Sequence, residues 1–419
     1  MMTELFLLGA GASVEAGIPD AYKMTSEMLN KISEDKRAHY LRYDKVLQFV
    51  VGGLLFKQGI KGENPFEGVN IEDLFTAVLL LSERQNSELS PFISSWHPQL
   101  IGLESGKMAG STSRELLEAI FGPVEKHLEE TTKELRKEIM DDVGRVLGGR
   151  HSFSRSSRNK KIDTFFASSH FEKEFTDAVR QVVSGSEGKL FKETASAMIQ
   201  RLVEMVWITD SDKIKYLIPL LKYAIDANSP VVTLNYDNTI ELSGQTMGIE
   251  IDTGFDTWSK SGEFAFGDGK IPLIKLHGSI DWALSDGKTG KEKPLPYQII
   301  RRVDPNAKGQ QHFQPAVIFG SKNKLTAKGP FLSLLQSFEA QLLKSEILTI
   351  IGYSFRDEHV NEFITNWFNG DVARRMRIIN PSPSSMSDGF TQPLLFGAAK
   401  DRVQVIKEVA SKGILEIIK

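Results

Sequence analysis

The chain has 419 residues, of which 41% are hydrophobic and 25% charged, with a formal net charge of −3 and no cysteine. A chain this long hides roughly three quarters of its extended surface on folding, enough for its own core across two or three domain-sized units. The absent cysteines exclude disulfides, zinc knuckles, thiolate clusters and thiol nucleophiles. Near-neutral charge argues against a surface built throughout to hold nucleic acid.

The first element is an apolar run at 5–8, preceded by Glu4 and running straight into Gly9-Ala10-Gly11. It lacks a basic leader, so it predicts a buried strand rather than an export signal. No apolar stretch approaches the roughly 20 residues of a spanning helix. These features, with the missing disulfides, lead us to expect a soluble, cytoplasmic protein without a membrane partner.

From about residue 22 to 228 the pattern is mainly helical. Segments 71–84, 114–147, 171–183 and 189–207 mix apolar and charged residues at three- and four-residue spacing. The charges at 125–142 read as a solvated helix face. Asn70-Ile71-Glu72-Asp73 reads as a helix start with acids favourably placed at its N-terminus. The stretch 148–161 is basic and rich in Ser and Gly. It is either a surface loop or a weak, indirect electrostatic contact for nucleic acid or an acidic partner.

From Pro230 onward short β-branched runs take over, at 231–234, 273–276, 316–319, 347–351 and 376–379. Near-continuous apolar runs of this length suit strands buried on both faces of a parallel sheet. The expected fold is α/β: a doubly wound, mostly parallel Rossmann-like sheet interrupted by a large, mainly helical insertion. Residues 1–35 and 230–419 would form the sheet domain, and 36–229 a helical insertion suited to oligomer contacts.

In open α/β sheets ligands bind beyond the carboxyl ends of the strands. The six predicted strands run into Gly9-Ala10-Gly11-Ala12-Ser13, Asn235-Tyr236-Asp237, His277-Gly278-Ser279, Gly320-Ser321-Lys322, Gly352-Tyr353-Ser354 and Asn380-Pro381-Ser382. All are small or polar residues that can approach a ligand. In the first of these, Gly9 and Gly11 permit a tight turn that brings backbone N–H groups near a phosphate. The next helix adds its N-terminal dipole, and Ser13 can donate a hydroxyl. The dehydrogenase fingerprint is absent, since Val14 stands where its third small residue should be. His39, His97, His127, His151, His170 and His312 share no metal-ligand spacing, so no metal site is expected.

The string from Gly9 to Asp20, Gly-Ala-Gly-Ala-Ser-Val-Glu-Ala-Gly-Ile-Pro-Asp, resembles the opening motif of the sirtuins. Asn235 and Asp237, His277-Gly278, the Gly352-Tyr353-Ser354 turn and Asn380 are similar to later sirtuin motifs in the same order. The resemblance covers about half of the chain. It implies NAD as the bound dinucleotide. Gly9, Ala10, Gly11 and Ser13 would then lie on its pyrophosphate, Gly352, Ser354 and Asn380 on the adenosine side, and Asp20 and Asp237 among the cofactor contacts. Three departures stand out. There are no cysteines for the zinc module of the protein deacylases, Ala21 and Tyr22 follow Asp20 in place of phenylalanine and arginine, and the helical insertion is long. They point to the sirtuin-like NAD-hydrolysing effectors of bacterial antiviral defence that act beside a hexameric DNA-translocating ATPase. This implies NAD depletion by an activated homo-oligomer or partnered assembly, without zinc.

Cleaving nicotinamide from ribose moves positive charge onto the sugar, as in glycoside hydrolysis. The leaving base is already cationic and departs neutral, so no general acid is required. Asn235 has donor and acceptor atoms that can orient a ribose hydroxyl, the nicotinamide amide or the attacking water. His277 can accept a proton from a ribose hydroxyl or from water. These two are the candidate catalytic residues. Asp237 either binds the carboxamide or braces its loop. The expected activity is NAD glycohydrolysis to ADP-ribose and nicotinamide, against the alternatives of an NAD-dependent protein deacylase and a non-catalytic NAD or ADP-ribose sensor.

Overall fold

The computed structural model describes residues 3–61, 68–84, 188–286, 298–305, 315–318, 329–383, 386, 388–397 and 399–418. The expected helices at 114–147 and 171–183, the charged face at 125–142, the basic stretch 148–161 and the Gly320-Ser321-Lys322 turn lie outside the described residues. So do His97, His127, His151, His170 and His312.

Strand β1 (Glu4–Leu8) passes through a 3-10 segment (Ala10–Ala16) to α1 (Ala21–Ser33), followed by α2 (Ala38–Ile60), α3 (Ile71–Glu83) and α4 (Lys189–Val206). A second 3-10 segment (Ser211–Leu217) and α5 (Ile218–Asp226) lead to β2 (Val231–Thr233), α6 (Thr239–Met247), β3 (Ile251–Asp252), α7 (Phe255–Ser261) and β4 (Ile271–Lys275). Next come β5 (Gly278–Asp286), β6 (Gln298–Arg302), β7 (Pro315–Val317), α8 (Phe331–Lys344) and β8 (Ile347–Ile351). The described chain ends with α9 (Glu358–Gly370), β9 (Arg375–Ile379), α10 (Asp388–Phe396), β10 (Val403–Ile406) and α11 (Ala410–Ile418). Among the described residues no helix is long and apolar enough to cross a membrane.

The chain divides into two compact units. One comprises Met1–Asn30, Gln58–Thr76 and Met198–Lys419; the other comprises Lys31–Lys57 and Ala77–Ala197. The sheet-bearing unit thus includes two stretches, 58–76 and 198–229, of the segment expected as an insertion. The described part of the second unit is helical and buries Tyr40, Tyr43, Val46, Leu47, Leu190 and Phe191.

The main sheet has seven strands in the order β10-β9-β8-β1-β2-β4-β3, and every neighbouring pair is parallel. From β1 the chain winds outward through β2 to β4 and β3 on one side, then returns to build β8, β9 and β10 on the other. The winding direction reverses between β1 and β8, the place where doubly wound sheets open a crevice.

Both faces of the sheet are covered, which explains the unbroken apolar runs. In β1, Leu5 and Leu7 join a core with Val232, Ile274, Leu348 and Ile350, closed by Phe338 of α8 and Ile364 and Trp367 of α9. Phe6 and Leu8 point the other way, into a core with Val231, Leu273, Ile351 and Ile379 beneath Leu220 and Leu221 of α5 and Ile414 of α11. Side chains alternate across a strand, so a strand covered on both sides must be apolar at every position. Burying each such Leu or Phe stabilises the fold by about 1.5–3 kcal/mol.

One expected strand lies elsewhere. The run at 316–319 contributes to β7, which pairs antiparallel with β5 in a separate three-stranded sheet ordered β6-β5-β7. Its apolar character reflects burial of Ala316 and Ile318 in the same core as Leu5 and Leu7, not membership of the parallel sheet. Periodicity reports burial and not the partner strand, so an apolar run of this kind suits either sheet.

Candidate active site

Parallel pairing in register brings the strand ends to one rim. Leu8 stands opposite Thr233 and Ile351, Thr233 opposite Lys275, and Ile351 opposite Ile379. Gly9, Asn235, His277, Gly352 and Asn380 therefore emerge along the same edge. This rim gathers five of the six expected segments. β10 extends it beyond Asn380, whose N–H donates to the Ile406 carbonyl at 3.0 Å.

At the β1–β8 switch the two glycine turns pack backbone on backbone. Gly9 N–H donates to Ile351 O at 2.9 Å and Gly11 N–H to Gly352 O at 2.8 Å. A Cβ on Gly9 would stand 2.6 Å from the Tyr353 Cα, and Gly352 has φ 64° with the Gly11–Ala12 backbone against it. The glycines are needed for this close approach. Their N–H groups are engaged by carbonyls at the end of β8, whereas from sequence they are expected near a phosphate. The segment after them is a short 3-10 stretch ended by Gly17 in the left-handed region, and the α-helix begins only at Ala21. Asp20 caps that helix, its Oδ1 accepting from Tyr22 N at 3.0 Å and Lys23 N at 2.9 Å.

Asn235 is fixed by its side-chain amide. Nδ2 donates to Gly9 O and to Ser13 Oγ, both at 2.9 Å. The reverse amide orientation would set Oδ1 against the Gly9 carbonyl, so these contacts define which atom is which. With both Nδ2 hydrogens engaged, only the acceptor Oδ1 remains to meet a ligand. Ser13, 2% exposed, donates its own hydroxyl hydrogen bond to Asp237 Oδ2 at 2.7 Å. Asp237 Oδ1 accepts from Thr239 N at 3.0 Å and Thr239 Oγ1 at 2.6 Å. Both of its carboxylate oxygens are thus engaged, by Thr239 in its own loop and by Ser13 of the segment after β1. The Tyr216 hydroxyl adds a hydrogen bond to Ala12 O at 2.5 Å.

Beneath this loop lies a charge that sequence reasoning passed over. Lys275, fully buried in β4, donates from Nζ to the Asp237 carbonyl and to Glu241 Oε1, each at 2.6 Å. Burial holds the Glu241 carboxyl above its ordinary pKa, and the Lys275 ammonium offsets only part of that rise. A lone lysine inside the apolar run 273–276 was the available signal, since such a residue must find a partner.

His277 is 6% exposed, and its Nε2 lies 2.9 Å from Asp357 Oδ2. Asp357 opens α9. It caps that helix, with Oδ1 accepting from His359 N at 3.1 Å and Val360 N at 3.3 Å. Its second oxygen holds the histidine, which no spacing in the sequence announces. A carboxylate at Nε2 selects the tautomer protonated there and leaves Nδ1 as a base. Among the described residues nothing pairs with Nδ1.

Two tyrosines flank the pair. Tyr236 lies 6.4 Å from His277 between ring centroids and reaches Glu72 Oε1 at 3.4 Å. Tyr353 donates to Asn361 Oδ1 at 2.9 Å and accepts from Asp357 N at 3.1 Å. Burial first, then the nearby acids, holds both phenols well above their ordinary pKa, so they stay neutral. Of the remaining candidates, Ala10 is exposed and Ser354 half-buried. Asn380 uses Oδ1 to accept from Ser382 N at 2.8 Å, leaving its Nδ2 hydrogens. Among the described residues no group of three or more acidic or histidine side chains could hold a metal ion.

Residues 229–392 match the family model described as a SIR2-like domain. No curated protein matches the chain. Among solved structures, a Sir2 homologue in complex with NAD is 11% identical with a TM-score of 0.31, covering 55% of this chain and 73% of that one. A triple mutant of a Sir2 homologue with 2′-O-acetyl ADP ribose is 10% identical with a TM-score of 0.32, covering 55% and 75%. A Sir2 enzyme described for its mechanism and regulation is 16% identical with a TM-score of 0.31, covering 55% and 76%. The stretch from β2 into α10, which carries Asn235, His277, Gly352, Asp357 and Asn380, is therefore similar to a SIR2-like domain.

Proposed function

We propose that this rim binds NAD and cleaves its nicotinamide–ribose bond, releasing nicotinamide and ADP-ribose. The observation that carries the reading is the pairing, on neighbouring strands, of an asparagine reduced to its acceptor with a histidine held by an aspartate. Bond cleavage loads positive charge onto the ribose while a neutral base departs. The Asn235 Oδ1 orients a ribose hydroxyl or the incoming water by accepting its hydrogen. Nδ1 of His277 takes the proton that this nucleophile or hydroxyl loses, and Asp357 stabilises the imidazolium that results. Proton transfer to a positioned histidine is worth roughly 10² to 10⁴ in rate. The match of residues 229–392 to a SIR2-like domain favours NAD as the dinucleotide.

The wider proposal follows the resemblance: a cytoplasmic NAD-depleting effector of antiviral defence, gated by its own oligomer or by a DNA-translocating ATPase. It would need no zinc.

The test is incubation of the purified full-length chain with NAD across a range of protein concentrations, followed by chromatography. Nicotinamide and ADP-ribose in equal amounts support the reading, and Asn235→Ala and His277→Ala should each abolish them. Product formed only with an acetyl-lysine peptide, as an acetylated ADP-ribose, would replace it with the deacylase. Binding without turnover at every protein concentration, and also with a candidate DNA-translocating ATPase partner present, would replace it with the sensor.

A further inference from the structure

An anionic ligand arriving at this rim meets few open donors. The Gly9 and Gly11 N–H groups are engaged with the β8 turn, and the Ser13 hydroxyl donates to Asp237. The rim segments 9–20, 234–238, 276–279, 352–357 and 380–383 hold Glu15, Asp20, Asp237 and Asp357, against a single arginine or lysine, Arg356. Within these segments Arg356 is the one lysine or arginine that could offset the acids for a diphosphate, with Lys213 Nζ lying beside Gly17 at the far end of the first of them.

Arg356 is held to present itself. Its predecessor, Phe355, is 1% exposed, sits at φ 57° and packs on Phe390 and Tyr353 with ring centroids 5.0 and 4.9 Å apart. A buried aromatic residue in the left-handed region is strained, and persists only where its surroundings impose it. Its successor, Asp357, is tied to His277 and to the first N–H groups of α9. With both neighbours anchored, the exposed Arg356 keeps only side-chain freedom. Its guanidinium donates to the Tyr22 hydroxyl at 2.9 Å and lies 5.6 Å from that ring centroid, linking the segment after β8 to the one after β1.

We infer that Arg356 is the counter-ion for the diphosphate of a dinucleotide bound at this rim, and that its bond to Tyr22 is the resting position from which it turns to the ligand. A planar guanidinium can grip two phosphate oxygens at once, and four of its five N–H donors remain when one is engaged by Tyr22. The inference rests on the dinucleotide reading above.

Calorimetry on the full-length chain separates the two claims, with ADP-ribose, inorganic pyrophosphate and adenosine as probes. Arg356→Ala should weaken ADP-ribose and pyrophosphate binding by about 10- to 100-fold, the loss expected of one charge-assisted hydrogen bond, and leave adenosine unchanged. Arg356→Lys should recover part of the loss. Tyr22→Phe should leave ADP-ribose affinity unchanged or tighter, and a loss matching that of Arg356→Ala would overturn the resting-position role. Wild-type affinity of Arg356→Ala for ADP-ribose would overturn the counter-ion role while leaving the dinucleotide reading intact. Failure of the wild-type chain to bind either ADP-ribose or pyrophosphate would overturn both.

Discussion

His277 and Asp357 meet at 2.9 Å although 80 residues and two strands separate their origins. His277 follows β4 and Asp357 follows β8, and β1 and β2 lie between them in the sheet. At the usual spacing those strands are about 14 Å apart, so the segment after β8 must cross the rim to reach the histidine. Changing this one aspartate should therefore separate catalysis from folding. Asp357→Asn keeps a good helix cap, because asparagine caps as well as aspartate. It loses the charge that fixes the histidine tautomer. NAD cleavage should fall by about 10²-fold or more in kcat, with a smaller change in KM and an altered pH profile. A normal melting curve beside that loss would confirm positioning, whereas an unchanged pH profile would count against it.

Ser13→Ala tests the next layer. It removes the group that takes one Asn235 Nδ2 hydrogen and donates to Asp237. Asn235 then retains only its bond to Gly9 O, and cleavage should drop about 10-fold with a modest stability loss of ~1–3 kcal/mol. Steady-state kinetics paired with urea unfolding would separate the two effects.

Gly352→Ala should act on stability first. The new Cβ meets the Gly11–Ala12 backbone and must also sit at φ 64°. Left-handed backbone alone costs about 1–2 kcal/mol, and moving the facing turn adds to it. The variant should unfold at clearly lower urea, and ADP-ribose should bind less tightly because the β1–β8 junction shifts.

Glu4 offers a control far from the rim. It is 3% exposed at the start of β1, where it accepts from Thr349 Oγ1 at 2.5 Å, Tyr223 OH at 3.0 Å and Arg377 at 3.1 Å. Glu4→Gln leaves Arg377 without its charge partner and should cost about 3 kcal/mol in urea unfolding. Ligand binding should survive, because the change lies at the opposite strand ends.

Alkaline stability follows from the buried phenols. Tyr216, Tyr236 and Tyr353 are all raised above the ordinary 10.0, chiefly by burial. The folded chain keeps these protons where the unfolded chain releases them. Their contribution is thus complete below pH 10.0 and declines as pH rises beyond it. Unfolding free energies from urea titrations should fall above about pH 10, by about 1.4 kcal/mol per tyrosine for each pH unit above its unfolded value. Absorbance titration should show a group of tyrosines that ionise only as the chain unfolds.

The sequence by itself determined five of the seven parallel strands, β1, β2, β4, β8 and β9, and the positions that follow them. Apolar runs such as 5–8 and 347–351 are local records of burial on both faces, and Gly9, Asn235, His277 and Gly352 are legible as the residues just past each run. It also announced the helix start at Asn70, because a cap bonds to its own next few residues. What those residues do to one another was decided only by tertiary structure. Asn235 became acceptor-only because Gly9 and Ser13, more than 200 residues away, take its amide hydrogens. The glycines spend their N–H groups on β8, Lys275 fills a buried ion pair, and Asp357 adds a histidine to its cap. β7 left the parallel sheet because hydrophobicity encodes burial and not the strand alongside. Each of these outcomes depends on directional contacts between distant segments, and a hydrogen bond exists only once the fold has brought donor and acceptor within about 3 Å.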